Sequence, residues 1–250
     1  TAFFTYFNYR AKLQPIHLGL TTGTTAVDAL TPIGRGQSML LLGAEGSGKS
    51  SLILDAILAQ AITSVACVLG LSHGGLAAAA EISNELVARG LPAERLTVVA
   101  TRGSSAVERA LVEAAACAVG EGVQDRGGHA LVALDELLGH LEVWDATACA
   151  LSTDERAVNA EAGSVAEAAV AAAIIHPAEQ RVFYGALLQR ASQLTAEHGG
   201  GSLTLLAAVE QFRKPQSVAS GAALTLADFE GRPAAERARL EALSMKGIAL

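Results

Sequence analysis

Gly43-Ala44-Glu45-Gly46-Ser47-Gly48-Lys49-Ser50 matches every fixed position of the phosphate-binding pattern G-x-x-x-x-G-K-[ST]. Its flanks supply the setting the pattern needs. An apolar run, Ser38-Met39-Leu40-Leu41-Leu42, leads in, and a helix-like stretch, Ser51-Leu52-Ile53-Leu54-Asp55-Ala56-Ile57-Leu58, leads out. The glycines allow successive N–H groups to turn inward as a nest for phosphate oxygens. The start of the following helix adds unpaired N–H groups and the positive end of its dipole. The candidate nucleotide-binding residues are Gly43, Gly46, Ser47, Gly48, Lys49, Ser50 and Ser51. Lys49 would reach the β- and γ-phosphates as a point charge, and the Ser50 hydroxyl would ligand Mg²⁺. Glu45 is an unusual carboxylate for such a loop. It would repel polyphosphate unless its side chain turned outward.

Outward from the loop, apolar runs and helical patterns alternate. Strands are expected over Met39–Leu42, Ala66–Leu69, Leu96–Ala100, Ala130–Leu134 and Leu203–Val209. Helices are expected over Lys49–Ala61, Ala77–Arg89, Ala106–Val119 and Val182–Glu197, the third opening on a Ser105-x-x-Glu108 capping box. Continuous apolar strands separated by helices predict an α/β fold, a mostly parallel sheet flanked by helices. Ligands then bind at the carboxyl ends of the strands, where the phosphate loop lies. Ser152–Ile175 breaks the rhythm and reads as an Ala/Glu-rich insertion. Pro233–Met245 reads as a short amphipathic helix ended by Gly247.

The run Ala130-Leu131-Val132-Ala133-Leu134 ends in Asp135. An apolar strand closing on an aspartate is the arrangement that shares Mg²⁺ with the phosphate-loop hydroxyl, which makes Asp135 the second candidate metal residue beside Ser50. The alternative is an Asp that caps the next helix. Glu136 follows. It is either a carboxylate that orients an attacking water or a solvent-facing residue in a first helical turn.

Bulk properties narrow the classes. The chain has 250 residues, 51% hydrophobic and 17% charged, with a net charge of -7. The acidic balance argues against a nucleic-acid surface and a polybasic membrane anchor. No apolar stretch reaches the length of a membrane span, so direct membrane insertion is not expected. Cys67, Cys117 and Cys149 are scattered, with no C-x-x-C, and predict buried inert thiols in a reducing compartment. No two histidines stand at i, i+4, which gives no signal for a histidine metal site.

Several short stretches, in order, resemble the F-type ATP synthase alpha subunit. Upstream of the loop they are Thr22-Gly23-Thr24-Thr25-Ala26-Val27-Asp28-Ala29-Leu30 and Pro32-Ile33-Gly34-Arg35-Gly36-Gln37. Before Asp135 they are Cys117-Ala118-Val119-Gly120-Glu121 and Asp125-Arg126-Gly127-Gly128-His129-Ala130-Leu131. Beyond it they are Val182-Phe183-Tyr184, Leu187-Leu188-Gln189-Arg190-Ala191, Gly199-Gly200-Gly201-Ser202-Leu203-Thr204, Leu240-Glu241-Ala242-Leu243 and Lys246-Gly247-Ile248. The resemblance implies a RecA-like nucleotide-binding domain over 20–250, preceded by an extension or domain remnant at 1–19 and interrupted by the insertion at about 152–175. It implies ATP or ADP with Mg²⁺ as the ligand, protein subunits of a multi-subunit assembly as partners, and an organellar setting (mitochondrion or chloroplast), with possible attachment to a membrane complex.

The departures are as informative as the matches. The catalytic beta subunit carries a water-polarising glutamate after the second strand, and the alpha subunit has glutamine there. The corresponding residue here is Leu71, in Gly70-Leu71-Ser72, and leucine neither accepts a proton nor orients water. The family's amino-terminal barrel, arginine-finger segment and carboxy-terminal helical domain are expected to fall outside this chain. Together these features predict a domain that binds Mg-nucleotide without efficient hydrolysis, in a structural or regulatory subunit, with no catalytic residue. Two alternatives stand beside it: an active ATPase using Glu136, and a nucleotide-free scaffold, which Glu45 would favour.

Overall fold

A computed structural model of the chain describes residues 13–102, 105–137, 143, 182 and 184–210. The chain separates into two compact units, Thr1–Glu142 with Tyr184–Gln211, and Val143–Phe183 with Phe212–Leu250. Nearly all described residues belong to the first. The insertion read at 152–175, the helix read at 233–245, Cys149 and most of the amino-terminal extension lie outside the described residues.

Each of the five apolar runs forms a strand. They are β3 (Ser38–Gly43), β4 (Ala66–Leu71), β5 (Leu96–Ala100), β6 (His129–Leu134) and β8 (Ser202–Glu210). They lie in the order β3-β8-β6-β4-β5, and all of these pairings are parallel. Three short elements precede the sheet. A short antiparallel pair, β1 (Gly19–Leu20) and β2 (Ile33–Gly34), encloses α1 (Thr25–Leu30). The Asp28 carboxylate ties this segment together by accepting from Thr22 N and Thr22 Oγ1, both at 2.8 Å, and from Gly23 N.

The sheet is covered on both faces, which is why its strands read as unbroken apolar runs. Successive strand side chains alternate between faces. Leu131, Ala133, Leu206 and Ala208 enter one core with Ile53, Ala56 and Ile57 of α2 (Lys49–Leu58) and Leu86 of α3 (Gly75–Ala88). Val132, Leu134, Leu205 and Ala207 enter a second core with Ala116 and Cys117 of α4 (Ala106–Asp125). The buried thiols Cys67 and Cys117 are each pushed up to about 12, chiefly by burial. They pack as small apolar residues.

Helix boundaries depart from expectation where tertiary contacts intervene. At its far end α2 tightens into a 3₁₀ turn, Ala59–Ile62. There the Arg95 guanidinium donates to the carbonyls of Gln60, Ala61 and Thr63, partners that an α-helical end would lack. The box at the start of α4 forms its forward half, Ser105 Oγ accepting from Glu108 N at 3.2 Å. The helix then runs on to Asp125, past the expected end at Val119.

The helix expected over Val182–Glu197 is corrected. Residues 184–188 are helical, but Ser192–Gln193 form a strand, β7, antiparallel to β8, and Ala196–His198 form a 3₁₀ turn. The buried Gln124 amide draws the chain out of helix by donating to the Ser192 carbonyl and hydroxyl, both at 2.9 Å. Leu194 N then pairs with Gly201 O at 2.8 Å. These distant partners offset what helical continuation would have supplied. Among the described residues, no helix is long and apolar enough to cross a membrane.

Candidate functional site

The phosphate-loop sequence sits at the carboxyl end of β3 and runs directly into α2. Gly43 closes the strand. A side chain there would collide with the Ser47 side chain, which folds across the strand end. Gly48 is the residue before the first helical turn and holds φ 90°, the left-handed conformation that glycine adopts without penalty. This turn points the free N–H groups of α2 toward one concavity. Its volume is about 230 Å³ and its lining is Gly46, Ser47, Gly48, Lys49, Ser50 and Ser51. Six of the seven expected nucleotide-binding residues therefore share one surface, and the seventh, Gly43, closes β3 just before the loop without lining it. Glu45 is exposed and does not line the concavity.

Lys49 Nζ donates to two loop carbonyls, Gly43 O at 2.9 Å and Ala44 O at 2.8 Å. An ammonium carries three donors, so one further donor position is open toward a ligand. Folded over its own loop, the positive charge is held beside the nest. The body of α2 packs across β3, β8 and β6.

Asp135 is placed at the end of β6. Its backbone N–H donates to Gly70 O at 3.1 Å, one step beyond the β6–β4 pairing, which fixes the direction in which the residue leaves the sheet. Its Oδ1 is buried and has no hydrogen-bond partner among the described residues. A buried, unpartnered carboxylate oxygen is costly, and a cation nearby removes that cost. A carboxylate and a hydroxyl are donor types that Mg²⁺ takes when waters and phosphate oxygens supply its remaining ligands, but Asp135 is not among the residues that line the loop concavity with Ser50. Among the described residues no three His, Cys, Asp or Glu side chains gather as a metal cage. A magnesium site completed by phosphate needs none.

The neighbouring strand end contains a contact that the sequence did not reveal. Leu71, last residue of β4, is 4% exposed and belongs to the core. Two residues on, His73 Nδ1 lies 2.7 Å from Glu136 Oε2. Glu136 is therefore neither a bare base nor a simple solvent-facing residue. Its partner stands just past a different apolar run, and His73's position after β4 was the sole signal that could have singled it out.

A larger cavity, about 510 Å³, opens at the amino end of β3 between Pro32, Gln37, Met39 and Leu188. Among the described residues no charged side chain lines it, so it offers no positive charge to a polyphosphate. The carboxyl-end concavity is the better nucleotide site despite its smaller volume.

The ATP synthase alpha/beta family, nucleotide-binding domain, matches residues 23–214. ATP synthase subunit alpha of Aquifex aeolicus is 32% identical over 199 residues, 80% of this chain and 36% of that protein. ATP synthase subunit alpha 1 of Listeria monocytogenes is 34% identical over 192 residues, 76% of this chain and 35% of that protein. ATP synthase subunit alpha 2 of Cereibacter sphaeroides is 34% identical over 189 residues, again 76% and 35%. The chain thus spans about a third of the length of these curated relatives. A parallel α/β sheet, a phosphate loop at its carboxyl edge and matches of this extent agree: the chain belongs to the ATP synthase alpha/beta family and contains that family's nucleotide-binding domain.

Proposed function

We propose that this chain holds Mg-ATP or Mg-ADP as an alpha-like domain that turns it over poorly, serving as a structural or regulatory subunit of a larger assembly. The observation that carries the reading is the single concavity lined by Gly46–Ser51, with the Lys49 ammonium beside it and the unpartnered Asp135 oxygen at the end of β6. Backbone N–H groups and the α2 dipole would hold the phosphates. Lys49 would exchange a loop carbonyl for a phosphate oxygen. Ser50 and Asp135 would hold the metal, whose chemistry is to neutralise phosphate charge and fix the phosphate geometry.

Poor turnover is inferred from Leu71. A buried leucine at that strand end supplies no base and no hydrogen bond to water. Glu45, exposed and outside the lining, gives little support to a nucleotide-free scaffold. A place among protein subunits is inferred from the relatives, which are named as subunits. An organellar setting rests on the resemblance alone, since the relatives compared are bacterial proteins.

The test is titration with Mg-ADP and Mg-ATP by calorimetry, alongside phosphate release. Saturable binding with negligible release is expected, and no binding by either nucleotide overturns the reading. One observation favours a second reading, an ATPase using Glu136: His73 orients that carboxylate, as a catalytic base is oriented. It requires measurable release that Glu136→Gln abolishes.

A further inference from the structure

We propose that Glu45 is a specificity-determining residue of the phosphate loop, one whose carboxylate sorts nucleotides by charge and disfavours the metal-free polyphosphate more than its Mg²⁺ complex. This role presupposes the nucleotide-binding reading above.

Gly43–Ser50 holds two charged side chains, Glu45 and Lys49, and their formal charges cancel. A loop that would hold phosphate through one lysine and backbone N–H groups thus carries no net side-chain charge. The lysine does not pair with the carboxylate. Its Nζ donates instead to the carbonyls of Gly43 and Ala44, at 2.9 and 2.8 Å. Among the described residues no ion pair includes Glu45. Of the described residues that line the concavity, Lys49 alone is charged, so no second cation offsets the acid.

Glu45 is exposed and outside the lining, so it acts through its field rather than by contact. Its neighbour Gly46 does line the concavity, and adjacent Cα atoms are about 3.8 Å apart. The carboxylate therefore stays within about one Debye length of that residue, about 10 Å at 0.1 M salt. In high dielectric, a unit charge about 8 Å away changes an anion's affinity by about twofold per ligand charge at low salt. Mg²⁺ cancels two of the negative charges of ADP or ATP. The metal-free nucleotide therefore loses more, by about three- to fivefold in affinity. The acidic balance of the whole chain, -7, acts in the same direction at long range. The acid thereby biases the loop toward nucleotide that arrives already paired with a cation.

Calorimetry, with NMR titration for weak affinities, measures Kd for ADP with Mg²⁺ and with chelator in wild type, Glu45→Asp, Glu45→Gln and Glu45→Lys. Each is measured at about 0.01 M and about 1 M monovalent salt, where the Debye length is about 30 and 3 Å. The quantity read is the ratio of the chelator Kd to the Mg²⁺ Kd. At low salt it is expected to fall about three- to fivefold in Glu45→Gln and about tenfold or more in Glu45→Lys. In Glu45→Asp, which keeps the charge, it is expected to stay at the wild-type value. At high salt the variants are expected to converge on wild type. A low-salt ratio that neither Gln nor Lys changes overturns the proposal and leaves nucleotide binding intact. So does a gain that is equal with and without the metal, or one that persists at high salt. If wild type binds ADP in neither form, both readings fall.

Discussion

The two ends of one sheet treat their polar groups in opposite ways. At the amino ends of β6 and β8, polar side chains are spent on the protein. Gln124 holds Ser192, His129 Nδ1 meets Ser202 Oγ at 2.9 Å, Thr204 Oγ1 accepts from Gly36 N, and Arg190 grips Glu121 through two bonds of 2.6 and 2.7 Å. Exceptions there are the Oε1 atoms of Gln124 and Gln193 and the Nε of Arg35, buried without partners among the described residues, though a guanidinium keeps further N–H donors. At the carboxyl ends, charge is left over. Lys49 has a donor to spare, Asp135 Oδ1 has no partner, and His73 presents a nitrogen to solvent. Neutral amides can go underused at modest cost, whereas an unpartnered carboxylate costs more. The difference separates the end that holds the fold from the end that holds a ligand.

The comparison breaks most visibly at Arg190. Arg190→Ala strands Glu121, and is expected to lower unfolding stability by about 2–3 kcal/mol, toward the low side for buried pairs because Glu121 retains 26% exposure. Urea unfolding measures it, and nucleotide affinity of the folded fraction should not change. Lys49→Ala is expected to do the reverse. Mg-nucleotide binding weakens by about 1.5–3 kcal/mol, roughly 10- to 150-fold, while the unfolding free energy from urea without nucleotide stays within about 0.5 kcal/mol of wild type. Equal loss of stability in both variants would erase the contrast. Asp135→Asn sharpens the metal assignment. Affinity in Mg²⁺ is expected to fall on the order of tenfold, about 1.4 kcal/mol, with no change in chelator. The same substitution removes the charge from a carboxylate whose Oδ1 lacks a partner among the described residues, and it should not destabilise the unliganded protein.

The smallest effect is a pH dependence at the amino end. Burial, and then the positive charge of Arg35, hold His129 below its ordinary value. The unfolded chain therefore binds this proton more readily than the folded one. Stability from His129 is fully present above the unfolded value of about 6.5 and is lost as pH falls through the lower folded value. Melting curves of wild type should fall more steeply than those of His129→Gln below about pH 6.5. Parallel curves would show that His129 is not the cause.

Much of this arrangement was legible in the sequence because its causes are local. A strand buried on both faces declares itself as an apolar run, so β3, β4, β5, β6 and β8 could be found residue by residue. The loop declares itself because each glycine answers a backbone requirement within a few residues. What stayed hidden was set by distant partners. Residues 189–197 have helical composition, and the Gln124 amide and the amino end of β8 pull Ser192–Gln193 among them into extended form. His73 and Glu136 each follow a strand, and nothing in either segment announces the other. Parallel strand order, which brings those two ends side by side, is not readable from periodicity.

The central claim is that the carboxyl edge is a Mg-nucleotide site, and thermal unfolding with and without Mg-ADP tests it most directly. A ligand bound only by the folded state, at about a hundredfold excess over its Kd, adds about 2.7 kcal/mol. The account predicts a melting temperature that rises with Mg-ADP in wild type and does so far less in Lys49→Ala. A wild-type melting temperature that does not move across the full range of Mg-ADP concentration would contradict it.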